Sequence, residues 1–225
     1  MTETAGTVAR YTTIAGQYRH ELEIRRSRFI TVLQRVENEA DVVDLMNGLR
    51  REFSDARHHC SAFILGPGRD LQRSNDDGEP SGTAGQPMLE ALNRRVTPYG
   101  LTDLSDIAAV VVRYFGGVLL GAGGLVRAYS ESVSRALDTA RLVHRERRRL
   151  FVIPAPPATA GRLENELRGA GMNIAAVEYK GMSTRLTVAV QDEDAALDAF
   201  HGHLAGISAG ELTAIPAGQE WVDRA

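Results

Sequence analysis

Ile107-Ala108-Ala109-Val110-Val111-Val112, running straight into Arg113-Tyr114-Phe115-Gly116-Gly117, is the stretch on which the fold turns. A continuous apolar run rich in β-branched residues reads as a strand buried on both faces, so helices are expected on each side of its sheet. Downstream, Gly121-Ala122-Gly123-Gly124 leads into Leu125-Val126-Arg127-Ala128-Tyr129. From Leu125 a long helix is expected, with Tyr129, Val133, Ala136 and Ala140 in one apolar stripe.

Working upstream, Thr12 to Val36 carries enough β-branched and aromatic residues for two or three strands. Asn38 opens a helix with acidic residues in its first turn, and Val42, Met46, Leu49 and Phe53 fall on one face. Cys60 to Leu65 reads as a short buried strand ended by Gly66-Pro67-Gly68. The polar run Arg69 to Gln86 reads as a long loop, and Pro87 as a first-turn proline of a helix through Leu92.

Downstream of the long helix the pattern changes. Arg141 to Arg149 is a charged segment that reads as a solvated helix end and connector, giving a first domain over 1–145 and a second over 146–225. Leu150 to Ile153 is a strand, followed by a helix from Ala158 to Ala170 that Gly171 stops. Asn173 to Tyr179 and Thr184 to Val190 form a hairpin through Lys180-Gly181-Met182. A helix over Asp192 to Leu204 and a strand over Ile207 to Ile215 complete a β-α-β-β-α-β order, the ferredoxin-like split unit. Trp221 reads as a packing anchor for the tail.

Composition narrows the function classes. The 225 residues carry a formal charge of −3, so nucleic-acid binding would need a local basic patch. A single cysteine, Cys60, suits a reducing compartment. No apolar run approaches the roughly 18 residues of a membrane span. Met1 to Val8 has neither the basic nor the apolar part of a signal peptide, which makes a cytoplasmic location the simplest expectation.

Two segments carry candidate chemistry. In Asp76-Asp77-Gly78-Glu79-Pro80-Ser81-Gly82-Thr83-Ala84-Gly85-Gln86-Pro87, the carboxylates of Asp76, Asp77 and Glu79 could converge on a hard cation such as magnesium. The simpler reading of Asn75-Asp76-Asp77-Gly78 is a turn whose side chains bond their own backbone. Gly116 to Gly124 reads as a phosphate cradle at a helix start, with Arg113 and Arg127 supplying charge. It reads equally well as a tight strand-to-helix crossover. It is neither a Walker A loop nor a dinucleotide fingerprint. His58 and His59 point to opposite faces of a strand, so they do not share a metal, and Cys60 reads as a small core residue.

Ser27-Arg28-Phe29-Ile30, His59-Cys60-Ser61-Ala62, the stretch Asp76 to Pro87 and the stretch Arg113 to Tyr129 stand in the order found in the IMPACT family of YigZ-like proteins. The resemblance covers roughly Ile24 to Ala140. It implies an N-terminal α/β sandwich like domain 2 of ribosomal protein S5. The C-terminal part is similar to the last domain of elongation factor G, making the chain an α+β protein of two domains. Eukaryotic members restrain a starvation-responsive kinase of translation initiation by competing for its activator. The resemblance therefore implies a non-catalytic regulator associated with translation, whose partner is RNA, the ribosome or a translation factor. One departure stands out: where relatives commonly have Gly-Gly-Ile-Lys-Leu-Gly, this chain has Gly116-Gly117-Val118-Leu119-Leu120-Gly121.

The surface expected to meet an anion, RNA or a partner comprises Arg113, Tyr114, Gly116, Gly117, Gly121, Gly123, Gly124 and Arg127, with His59, Asp76, Asp77, Glu79, Ser81 and Thr83. No catalytic residue, cofactor or metal is assigned. Two alternatives stand beside this reading. One is a metal-dependent phosphoryl-transfer or hydrolytic enzyme using the acidic and glycine loops. The other is a protein-interaction module.

Overall fold

The computed structural model describes residues 8–181 and 183–224. The readings of Met1 to Thr7 and of Met182 in the hairpin lie outside the described residues. The chain divides into two compact units, the first reaching His144 and the second running from Arg145 to Arg224. No helix among the described residues is long and apolar enough to cross a membrane.

The first unit begins with β1 (Arg10–Ile14), β2 (Gln17–Ile24), β3 (Ser27–Arg35) and α1 (Glu39–Glu52). It continues with β4 (His58–Leu65), β5 (Leu71–Asn75), α2 (Gly85–Asn93), β6 (Ile107–Tyr114) and α3 (Ala122–Thr139). Its main sheet has the order β2-β3-β6-β4-β5, with the neighbouring strands antiparallel. The apolar run Ile107 to Val112 is the central strand, and alternation divides it between two cores. Ile107, Ala109 and Val111 pack with Met88, Leu92, Leu125, Tyr129 and Val133 beneath α2 and α3. Ala108 and Val110 pack with Val42, Leu45 and Leu49 of α1 on the other face. This is the ribosomal protein S5 domain 2-like sandwich.

The second unit starts in β7 (Leu142–Ala155), whose first residues still belong to the first unit, and continues through α4 (Pro157–Gly169), β8 (Asn173–Lys180), β9 (Ser183–Gln191), α5 (Asp194–Ser208) and β10 (Ile215–Arg224). The order β10-β7-β9-β8 is that of a ferredoxin-like βαββαβ sheet. Its core gathers Phe151, Ile153, Leu186 and Val188 of the sheet with Leu163, Leu167, Phe200 and Leu204 of the helices.

Four local expectations are corrected. The run Arg69 to Gln86 is not all loop, because β5 pairs with β4 from Leu65↔Leu71 to Ser61↔Asn75. The segment Arg141 to Arg149 is not a solvated connector. Leu142 onward is strand, and Arg145, Glu146, Arg147 and Arg148 are buried. Three of these four buried charges find partners: Arg147 shares Asp192 with Arg149, Arg145 pairs with Asp223, and Glu146 with Arg224. The last strand lies at Ile215–Arg224 and not at Ile207–Ile215, since α5 continues to Ser208 and stops at Ala209 in the left-handed region. Finally, α2 and α3 begin at Gly85 and Ala122, so Gly123 and Gly124 sit in the first turn of α3 and not before it.

Gly116 tests the tightness of the β6–α3 connection. A Cβ there would lie 2.0 Å from the carbonyl carbon of Arg26 and 2.5 Å from the Ser27 nitrogen. The β2–β3 turn and the glycine loop thus touch backbone to backbone. Gly116→Ala is expected to cost the first unit at least ~1–3 kcal/mol in urea unfolding. Gly123→Ala, whose Cβ would meet nothing within 4 Å, is expected to be neutral or slightly stabilising, as alanine is a better helix former.

Candidate ligand-binding site

The alternation that buries Val111 beneath α3 carries Arg113 to the same side, so this arginine turns inward at the end of β6. There its Nη1 donates to Glu79 Oε1 at 2.6 Å. The Tyr129 hydroxyl, from α3, donates to the same oxygen at 2.7 Å. Both partners are nearly inaccessible, the Arg113 side chain being 7% exposed and that of Glu79 3%. Below them, Cys60 Sγ lies 3.0 Å from the Asp76 carbonyl and 3.3 Å from the Tyr129 hydroxyl. Burial pushes the Cys60 thiol up to about 12 and raises the Tyr129 phenol as well. Cys60 is a protonated core residue, not a nucleophile in waiting. The two motifs therefore meet in space, through one buried network.

The acidic loop is organised from within. Burial acts to raise the Asp76 carboxyl, but N–H donors from Gly82, Gly85 and Ala84 outweigh it and hold the group below the usual aspartate value. This carboxylate occupies the position at the α2 N-terminus that an external anion would otherwise take. Gly85 is needed there because a Cβ would come within 2.7 Å of the Asn75 backbone nitrogen. Asp77 turns the other way. Its Oδ2 accepts from the His59 N–H at 2.6 Å, and its Oδ1 faces Arg50 at 3.2 Å. Its carbonyl accepts from His58 Nδ1 at 2.9 Å, which places the proton on that nitrogen. Asp76, Asp77 and Glu79 thus serve three different sets of partners and do not converge on one cation.

The remaining nominated residues separate by position. His59 is buried, and desolvation keeps its imidazole below the ordinary value, against the attraction of Asp77. Thr83 donates to the Pro80 carbonyl at 2.7 Å inside its own turn, while Ser81 is exposed. Tyr114 donates to Asp55 at 2.7 Å and lies under the Arg28 guanidinium, 5.5 Å from ring centroid to carbon.

Two clefts flank the start of α3 and share Leu120. The first, about 390 Å³, is walled by Pro80, Phe115, Leu119, Leu120 and Leu125. Arg57, His58, Glu79, Arg113 and the backbone of Gly121 and Ala122 complete it. The second, about 540 Å³, is lined by Ile24, Arg25, Leu120, Gly123, Gly124, Arg127, Ala128 and Glu131. Gly121 sits at φ 73° as the residue preceding the helix and has no side chain to cap it. The expectation that Arg113 offers a free charge to a ligand is corrected, since Glu79 shares it; Arg127 remains exposed. Sequence reasoning did not nominate Phe115, Leu120 or Arg25, and read Leu119 only as a departure from the lysine common in relatives. The aromatic residue directly before Gly116-Gly117 at a strand end was the available signal.

An α+β protein of two units, with its candidate clefts on an S5 domain 2-like sandwich around a glycine loop, is the class that fold and site define. The Impact N-terminal domain family matches residues 25–137, a span holding both motifs and nearly every residue of both clefts. The chain is 42% identical over 169 residues to IMPACT family member YvyE of Bacillus subtilis, covering 75% of each protein. It is 46% identical over 117 residues to IMPACT family member YigZ of Escherichia coli, a region spanning 51% of this chain and 54% of that relative. A solved structure described as a hypothetical protein is 32% identical, with a TM-score of 0.62, covering 93% of this chain and 98% of the other. The chain belongs to the IMPACT family.

Two predictions test the network. Glu79→Ala leaves the buried Arg113 charge without its counter-ion, and unfolding in urea is expected to show a loss of about 3–5 kcal/mol. Tyr129→Phe removes the hydrogen bond to the Glu79 carboxylate and the weak one from Cys60 but leaves the ion pair, and is expected to cost less, about 1.5–3 kcal/mol. Asp76 gives a pH signature. Its folded value lies below its unfolded one, so its stabilisation is full above the ordinary aspartate range and is lost as pH falls through the depressed value. Asp76→Asn should therefore flatten the acid limb of thermal stability against pH, with little change in shape above it.

Proposed function

We propose that this chain is a non-catalytic regulator associated with translation whose IMPACT-type domain binds single-stranded RNA. The observation that carries the reading is the start of α3, flanked by Arg57 and Arg113 in one cleft and by Arg25 and Arg127 in the other. Backbone N–H groups at a helix start favour phosphate. Phe115, 51% exposed, offers a stacking surface beside them. At a net charge of −3 the chain has no global attraction for nucleic acid, so this patch would have to supply it. The S5 domain 2-like fold, and the likeness of the second domain to the last domain of elongation factor G, support a place near the translation apparatus by analogy of fold alone. The acidic loop favours binding over catalysis, because each of its carboxylates already has protein partners.

A protein-interaction module is the second reading, favoured by Leu119, which is 82% exposed next to the half-exposed Val118 and Phe115.

Fluorescence anisotropy of a labelled single-stranded RNA, titrated across a salt series, tests the lead reading. Binding is expected at low salt, with log K falling linearly against log salt. Arg25→Glu combined with Arg127→Glu should weaken binding at least about tenfold and reduce the slope by roughly 1.4, about 0.7 for each lost phosphate contact. Absence of binding at about 50 mM salt would sink the RNA reading. Retention of a protein partner by wild type but not by Leu119→Asp would then favour the interaction module.

A further inference from the structure

We propose that the first cleft is a pocket for one nucleoside 5′-monophosphate unit, its base against Phe115 and its phosphate at the start of α3. The inference rests on the RNA reading and sharpens it, since the unit could be a nucleotide within a strand or a free mononucleotide. About 390 Å³ falls within the range of small-ligand pockets. Its walls and floor differ in character, and the difference defines the ligand.

The walls are apolar and include one aromatic ring. The Arg113 guanidinium carbon lies 5.8 Å from the Phe115 ring centroid, while the ring remains 51% exposed. A ring held against an arginine on one side and open on the other presents a flat, preorganised surface for a second planar group. Leu119, Leu120 and Leu125 continue that surface.

The floor is polar and cationic. Arg113 is 6% exposed and spends Nη1 on Glu79, and its Nε, itself buried, has no hydrogen-bond partner among the described residues. A buried guanidinium with a donor left over is costly unless an acceptor completes it. Gly121 and Ala122 bring the helix start to the same cleft, with Arg57 and His58 at its edge. Among the described residues the one acid lining it, Glu79, already serves Arg113 and Tyr129. A purely apolar ligand would leave Arg57 and the uncapped helix start unmatched, and a bare anion would leave the ring and leucines uncovered. A planar base joined to a phosphate satisfies both.

Titration calorimetry with AMP, GMP, CMP and UMP, with adenosine and inorganic phosphate as partial ligands, tests the pocket on the full chain. Mononucleotides are expected to saturate, with adenosine and phosphate each at least about tenfold weaker. Phe115→Ala should weaken mononucleotides about tenfold, the order of one lost base stack, and leave phosphate unchanged. Leu119→Asp, at an exposed position that folding does not depend on, should weaken AMP through repulsion of its phosphate. Leu119→Lys should tighten it and steepen its salt dependence. The pocket is refuted if no mononucleotide binds up to about 10 mM while a single-stranded RNA binds wild type and Phe115→Ala equally; the RNA reading would then survive. If mononucleotides bind with these mutant effects and a longer RNA binds no more tightly, the pocket stands and the RNA reading falls.

Discussion

The pairing of Glu79 with Arg113 is the constraint on which the site is built. A charged pair withdrawn this far from water recovers its desolvation only through close geometry and further hydrogen bonds, so it is weak evidence for stability. Its contribution here is registration. Glu79 comes from the acidic loop, Arg113 from the central strand and Tyr129 from the long helix. One carboxylate oxygen holds all three, and a slip of β6 by one residue would turn Arg113 to the α1 face and strand the loop acid. The His58↔Arg113 pairing of β4 with β6 places the histidine beside the same arginine, which is how Arg57 and His58 come to edge the cleft.

Much of the fold was legible because its signals are apolar and local. Ile107 to Val112 announced a strand covered on both faces, and the second unit declared its βαββαβ order through periodicity and glycine stops. The two misread strand segments share one physical origin: neither carries an apolar alternation. β5 (Leu71–Asn75) is an edge strand with one aliphatic residue, held by backbone hydrogen bonds that leave no hydrophobic pattern. β7 hides its alternation under arginines, whose charges read as solvated until Asp192 and Asp223 are brought beside them by folding. Only a tertiary partner makes such a segment interior, and no local rule supplies that partner.

The candidate site was legible in composition and obscure in geometry. Glycines marked the loops correctly, yet Gly116 serves backbone contact with Arg26, Gly85 serves contact with Asn75, and Gly121 prepares a helix start. The same residue type at three positions answers three separate constraints. Glu79 looked like a third ligand of an acidic cluster because three carboxylates in four residues are close along the chain. In the fold they diverge, toward a helix end, a strand N–H with an arginine, and a buried guanidinium. The cleft walls escaped notice because Pro80, Phe115, Leu119 and Leu125 come from segments whose meeting depends on the strand register.

The three helix starts of the first unit differ in what meets their N–H groups. All carry the same partial positive charge from their unpaired N–H groups. At α1, the Asn38 side chain accepts from the Asp41 N–H. At α2, the Asp76 carboxylate takes the N–H groups of Ala84 and Gly85, an internal anion in the place of an external one. At α3, the residue before the helix is Gly121, which has no side chain to give. At φ 73° and ψ 166° the backbone there is essentially closed to other residues, so a capping asparagine, aspartate or serine is excluded by conformation. The N–H groups at the start of the longest helix of this unit are therefore left without a side-chain cap, beside a cleft that Arg113 also lines. Two helix starts are closed by side chains of the chain itself and the third is not, and the proposed phosphate position depends on that difference.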